Sequence, residues 1–443
     1  MSTTLSTTAE SLRQLNGQVR NRLHADDRAA HDWYRFVLSF PPHLVREYAQ
    51  RFALRHQDTV LDPFCGTGTT LVECKKLGIR SIGIEANPMA CFASQVKTDW
   101  STDPEGLWKH ARSVASSVAD RLEADGITDS DDSPLFGRNR KIELRTLSAE
   151  KTKLLLRNSI SPLPLHKVLV LLEEIERRND VRYTRHERLA LARALVGGIS
   201  NLHFGPEVGV GRAKRDAAVA PLWLQTVRLI CNDLRTLTAN GSEESRLIPG
   251  DARCITKALK PGTVSAVITS PPYPNEKDYT RTTRLESVLL GFIHNKQDLR
   301  SLKNSLIRSN TRGVYKGDDD DQLVEGFESI QRIAEAIEKR RIHLKKTSGF
   351  ERLYPRVTRL YFGGMMRHLA DLRTLLRKGA HLAYVVGDQA SYLRVMIRTG
   401  EILADIASSL GYEVVGIDLF RTRLATATKE QLREEVVVLR WPG

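Results

Sequence analysis

"VLDPFCGTGTTLVEC", Val60 to Cys74, decides the fold. An apolar run stops at Asp62, a turn carries Gly66 and Gly68, and a helical pattern starts at Thr69 or Thr70 and ends near Gly78. Glycines in such a turn let the backbone take positive φ and let a ligand approach the main chain. The third glycine of the dinucleotide fingerprint is missing, so the turn alone names no ligand.

Two acids downstream add meaning to it. The next β-branched run, "SIGIEANP", ends at Glu85, about twenty residues beyond the turn, where a carboxylate can accept both hydroxyls of a ribose. A third run leads to Asp251 in "LIPGDAR". A glycine turn followed by acids after strands two and three forms one pocket at the carboxyl edge of a parallel sheet.

Further apolar runs, "VSAVITS", "HLAYVVGD", "YEVVGIDLF" and "EEVVVLRW", are mostly separated by segments of helical period. The expected fold is α/β, with a buried sheet of about seven strands between helices on both faces, plus mostly helical insertions. At 443 residues the chain exceeds what one core supports, which leaves room for those insertions. The expected division is a polar arm over residues 1–30, a cofactor-binding part of the core over 31–99, and a helical insertion over 100–243 that is a candidate for target recognition. The core resumes over 244–284, a second helical insertion covers 285–355, and 356–443 completes the core.

The run "VSAVITSPPY" stops at Ser270, because two prolines lack N–H groups and cannot continue the ladder. The same rigidity gives the Pro271 carbonyl a fixed direction beside the Ser270 hydroxyl, with the flat face of Tyr273 close by. An exocyclic amino group on a base is a poor nucleophile, since its lone pair is delocalised into the ring. Two acceptors on its two hydrogens, with the ring stacked on an aromatic face, would pull the nitrogen toward tetrahedral geometry.

"DPFCGTGTT", "GIEANP", "GDAR" and "TSPPY" resemble motifs I to IV of the amino-methylating DNA methyltransferases of the N4-cytosine/N6-adenine family, and "LSFPPHLVREYAQRF" resembles motif X. The resemblance implies a Rossmann-like class I methyltransferase sheet and S-adenosyl-L-methionine as cofactor. It places Phe40, Pro41, Asp62, Pro63, Phe64, Gly66, Thr67, Gly68, Glu85 and Asp251 at the cofactor and Ser270, Pro271, Pro272 and Tyr273 at the base. It also implies double-stranded DNA as substrate, base flipping, and a restriction-modification or defence setting with a cognate nuclease. Ser270 stands where adenine enzymes of the family more often carry Asp, which favours cytosine N4; adenine N6 is the alternative, and an RNA guanine-N2 methyltransferase a further one. A catalytically silent DNA-binding module is the rival from another class. No Pro-Cys pair of the C5-cytosine type is present, so a covalent enzyme-base intermediate is not indicated.

The net charge of +14 and pI near 9.6 agree with a polyanionic partner. Candidate phosphate contacts are Lys277, Arg281 and Arg284 after the Ser-Pro-Pro-Tyr run, and Arg212, Lys214 and Arg215 in "GVGRAKR". Five cysteines form no CxxC pair and no zinc spacing, no metal is assigned, and the run Asp318 to Asp321 reads as an exposed turn. His43 and His203 read as packing residues. With no signal peptide and no membrane span in the sequence, a cytoplasmic location is expected.

Overall fold

The computed structural model describes the chain except for residues 1–22, 24, 35–38, 131–142, 205–207, 238–242, 258, 276 and 425–430. Most of the arm expected over residues 1–30 lies outside the described residues. Part of the segment from Asp27 to Tyr34 is packed: Trp33 is fully buried and donates its indole N–H to Asp233 at 2.8 Å, and Asp27 pairs with Arg46.

Seven strands form one sheet: β1 (Thr59–Asp62), β2 (Arg80–Glu85), β5 (Ser245–Pro249), β6 (Val264–Thr269), β7 (Leu376–Gly387), β8 (Glu413–Leu424) and β9 (Gln431–Arg440). Their order is β5-β2-β1-β6-β7-β9-β8. All pairs are parallel except those of β9, which runs against β7 and β8. Each of the seven apolar runs of the sequence supplies one strand, and the helices Thr69–Lys76, Pro88–Lys97, Tyr354–Leu372 and Thr399–Ser409 connect them. The chain reverses direction across the sheet between β1 and β6, so a crevice opens there at the carboxyl ends of the strands.

Between β2 and β5 the helices Pro104–Ala124, Ala149–Leu154, Pro162–Arg177, Thr184–Ala194 and Val219–Leu237 pack together. Their apolar cluster also takes in Val72, Met89, Ala93 and Val96 from the sheet's own helices, so this region shares a core with the sheet. Two short antiparallel strands, β3 (Leu202–Phe204) and β4 (Val208–Val210), project from it.

The acidic run is a correction to the exposed turn expected from sequence. Asp320 is 3% exposed, and a Cβ on Gly363 would lie 1.8 Å from the Asp320 carbonyl oxygen. The run therefore seats in a notch that two glycines, Gly363 and Gly364, leave on the helix Tyr354–Leu372. Ion pairs tie it to distant arginines: Asp318 to Arg308, Asp319 to Arg367, Asp320 to Arg253 and Arg367, and Asp321 to Arg356. Four adjacent acids are tolerated because each meets a guanidinium.

Candidate active site

At the switch between β1 and β6 lies one cavity of about 520 Å³. Its wall includes Phe40, Pro41, Pro63, Phe64, Gly66, Thr67, Glu85 and Asp251 on one side and Ser270, Pro271, Pro272 and Tyr273 on the other. The two motifs, almost two hundred residues apart in sequence, open onto the same space.

The glycine turn is held by buried polar contacts. Asp62 is fully buried and does not line the cavity. Its carboxylate accepts from the Phe64 amide (3.1 Å) and from the hydroxyls of Thr70 and Thr269 (both 2.6 Å). Burial raises its pKa to about 6, and the two hydroxyls oppose that rise. Its place among the cofactor contacts is corrected: it braces the turn against β6. Gly68 is corrected likewise. It has φ +85°, and a Cβ there would stand 2.3 Å from Ser94 Oγ, so it admits a neighbouring helix and is not part of the cavity wall.

Gly66 (φ +51°) has open space beside its Cα, and its amide donates to Glu85 Oε2 at 2.8 Å. Glu85 Oε1 accepts from the Asn87 amide at 2.7 Å. Each carboxylate oxygen keeps lone-pair capacity toward the cavity. Burial pushes the Glu85 pKa up to about 7, against the two amides that favour its charge. Thr67 Oγ1 is buried with no hydrogen-bond partner among the described residues, and Thr67 faces the cavity. An open glycine, a desolvated carboxylate with spare acceptor sites and an unsatisfied hydroxyl fit a nucleoside-bearing cofactor. Asp251 also lines this end, with its carboxylate gripped by Arg253 at 2.6 Å.

At the other end the Ser270 hydroxyl donates to the Val385 carbonyl at 3.1 Å. Its one proton is thereby directed into the sheet, the Tyr273 hydroxyl lies within hydrogen-bond reach of the same oxygen, and one lone pair remains for an incoming donor. The Tyr273 amide donates to the Tyr279 hydroxyl at 3.1 Å, which fixes the loop after the prolines. A Cβ on Gly387 would lie 2.9 Å from Tyr273 Cε2, so the tyrosine ring rests on β7 where a side chain is missing.

The candidate phosphate contacts part company. Lys277 lines the cavity. Arg281 is half-buried in the short helix Tyr279–Thr282. Arg284 is a correction: it is 8% exposed and donates to the carbonyl of Leu154 and to the hydroxyl and carbonyl of Thr280, so it is an internal tie. Arg212, Lys214 and Arg215 are exposed, in a loop anchored by the Lys214 amide on Asn201 (2.9 Å) and by the buried Lys167–Asp216 pair (2.8 Å). His43 lies 6.0 Å from Phe420, ring to ring, and His203 is exposed on β3. Among the described residues no group of three or more His, Cys, Asp or Glu could hold a metal ion, and no helix is long and apolar enough to cross a membrane.

Sequence reasoning missed Asn275, Arg308, Gln389, Arg421, Arg423 and Glu434, all on the cavity wall. The signal available was "FRTR" at the end of a predicted strand, whose place in the sheet the sequence does not reveal.

Comparison with known proteins gives a consistent picture. The N6/N4 DNA methylase family model matches residues 12–95. The chain is similar to the Type II methyltransferase M.AvaI of Nostoc sp. and of Anabaena variabilis, 25% identical over 445 residues that cover 93% of this chain and 86% of each relative. It is similar to the Type II methyltransferase M.BsoBI of Geobacillus stearothermophilus, 24% identical, covering 94% of this chain and 84% of that one. A shorter match, 45% identical over 58 residues, joins 13% of this chain to 11% of the Type II methyltransferase M.MjaII of Methanocaldococcus jannaschii. These likenesses support the resemblance to amino-methylating DNA methyltransferases.

Proposed function

We propose that this protein is an S-adenosylmethionine-dependent, site-specific DNA methyltransferase that acts on the exocyclic amino group of a flipped base, cytosine N4 in preference to adenine N6. The carrying observation is that the Gly66–Glu85 cradle and the Ser270–Tyr273 loop open onto one cavity. When bound, the cofactor supplies a sulfonium methyl group as the electrophile.

Glu85 accepts the ribose hydroxyls with the acceptor sites left by Gly66 and Asn87, while Phe40, Phe64 and Thr67 enclose the remainder. Ser270, its proton given to Val385, accepts one amino hydrogen, and the Pro271 carbonyl accepts the other. Tyr273, seated on Gly387, stacks on the base. The positive charge that develops on nitrogen is met by fixed dipoles already in place, and the proton leaves afterward to solvent. No ionised side chain has to take the proton first, which is why serine suffices. The target amine is out of reach within a duplex, so the base must flip to enter. A restriction-modification setting with a cognate nuclease, and the exposed Arg212–Arg215 loop as a phosphate contact, belong to the same reading.

The test is transfer of labelled methyl from S-adenosylmethionine by the purified protein to DNA and to RNA. Label in DNA alone is expected; label in RNA alone would move the activity to the guanine-N2 class.

A further inference from the structure

The ends of four strands stand in a row along the carboxyl edge of the sheet, in the order β6, β7, β9, β8. Each carries one group at the cavity wall or directly behind it. Ser270 follows β6; Gly387, under the Tyr273 ring, ends β7; Glu434, paired in register with Gly387, lies on β9; and Arg421, paired in register with Glu434, lies on β8. Thr269 pairs with Tyr384, three residues before Gly387 on β7, and neighbouring strands are ~4.8 Å apart, so Gly387, Glu434 and Arg421 lie both outward from the serine and further toward the carboxyl edge. A base stacked on Tyr273 with its amino group at Ser270 therefore carries its far edge along the row toward Glu434 and Arg421.

Glu434 is 8% exposed, and its Oε2 accepts from Arg421 Nε at 2.5 Å, while Arg423 stands 3.4 Å from Oε1. One face of the Arg421 guanidinium is thus fixed. Among the described residues nothing takes its two terminal nitrogens, and Arg421 lines the cavity. A planar fork pinned at one nitrogen is suited to two acceptors side by side. Cytosine presents such a pair, N3 and O2, on the edge that begins at its amino group. Adenine presents N1 beside a C–H, which leaves one buried N–H without a partner.

We infer that Arg421, held by Glu434, reads the N3/O2 edge of the flipped cytosine and is a residue that selects cytosine over adenine. The inference rests on the proposed function and adds a named reader to it. A phosphate contact by the same arginine is the competing role, and the two respond differently to removal of the base.

The test uses short duplexes carrying the site that the wild-type enzyme modifies, either with the target cytosine or abasic at that position. Arg421→Lys keeps a cation for Glu434 but loses the fork. It should weaken binding of the cytosine duplex, relative to the abasic duplex, by about 5- to 100-fold, the range of a lost bidentate base contact. It should also raise the adenine-to-cytosine ratio of kcat/KM when adenine replaces the target. Arg421→Met should do both more strongly; thermal unfolding checks each variant, and Arg421→Lys carries the test if the methionine variant does not fold. Equal weakening on both duplexes would assign Arg421 to phosphate and overturn the inference, as would unchanged binding to both. If the wild-type product is N6-methyladenine, the cytosine reading falls with it; if it is N4-methylcytosine and the weakening is equal, only the Arg421 assignment falls.

Discussion

Two glutamates face the same cavity from opposite ends, and they are held in opposite ways. Glu85, after β2, is gripped by two main-chain amides, and burial lifts its pKa to about 7. Glu434, on β9, is gripped by Arg421 and Arg423. A carboxylate stabilised only by amides keeps its charge free to attract hydroxyl donors or a cationic ligand. One neutralised by arginines serves to aim those arginines. The contrast matches a cavity that takes a sulfonium nucleoside at one end and a polyanion's base at the other.

The sharpest way to break this division is at the serine. Ser270→Ala should lower kcat by about 100- to 1,000-fold, the cost of losing one preorganised partner of the transition state. S-adenosylmethionine affinity should stay near wild type, because the interaction belongs to the base end. Stopped-time methylation assays and calorimetry read the two separately; an equal loss in both would merge the ends.

Glu85→Ala probes the opposite end. It should weaken S-adenosylmethionine binding by about 1.5 to 3 kcal/mol, the cost of charge-assisted hydrogen bonds, with the fold retained. Unchanged calorimetric affinity in the folded variant would move the cofactor elsewhere.

The pKa of Glu85 gives a smaller and graded effect. Hydroxyl donors favour its charged form, so cofactor affinity should fall on acidification through about pH 7, by at most tenfold per pH unit, and Glu85→Gln should flatten that profile. The sign for folding is the reverse. A carboxyl raised from 4.5 to about 7 contributes stability below pH 4.5 that is lost as pH climbs through 7, and bound cofactor should restore it. Thermal melts with and without cofactor across pH 5 to 8, an interval of about 3 units around that midpoint, check both signs.

The smallest effect expected is at the remote loop. Neutralising Arg212, Lys214 and Arg215 should flatten the salt dependence of DNA binding by about 1 to 3 in log-log slope, while cofactor binding persists. An unaltered slope would remove the loop from the phosphate surface.

Sheet and glycine turn were legible in the sequence because strand signals are local. β-branched runs such as "VSAVIT" end at residues that cannot continue a strand, and the turn needs glycine at Gly66 and Gly68 for backbone reasons. What stayed hidden depends on partners far along the chain. The burial of Asp320 needs the Gly363 notch and Arg253; the inward turn of Asp62 needs the hydroxyls of Thr70 and Thr269; the burial of Arg284 needs the Leu154 carbonyl. β3 and β4 span three residues each, too short for a period to register. Arg421 directly follows the predicted run "YEVVGIDLF" and lies in the strand it forms, yet its place in the cavity follows from strand order, which no local pattern encodes.

Nucleoside mass spectrometry of DNA methylated by the purified enzyme tests the central claim most directly. Serine as acceptor and an arginine fork at the far edge predict N4-methylcytosine as the product. N6-methyladenine as the sole product would contradict the account of the base end, whatever the cofactor end does.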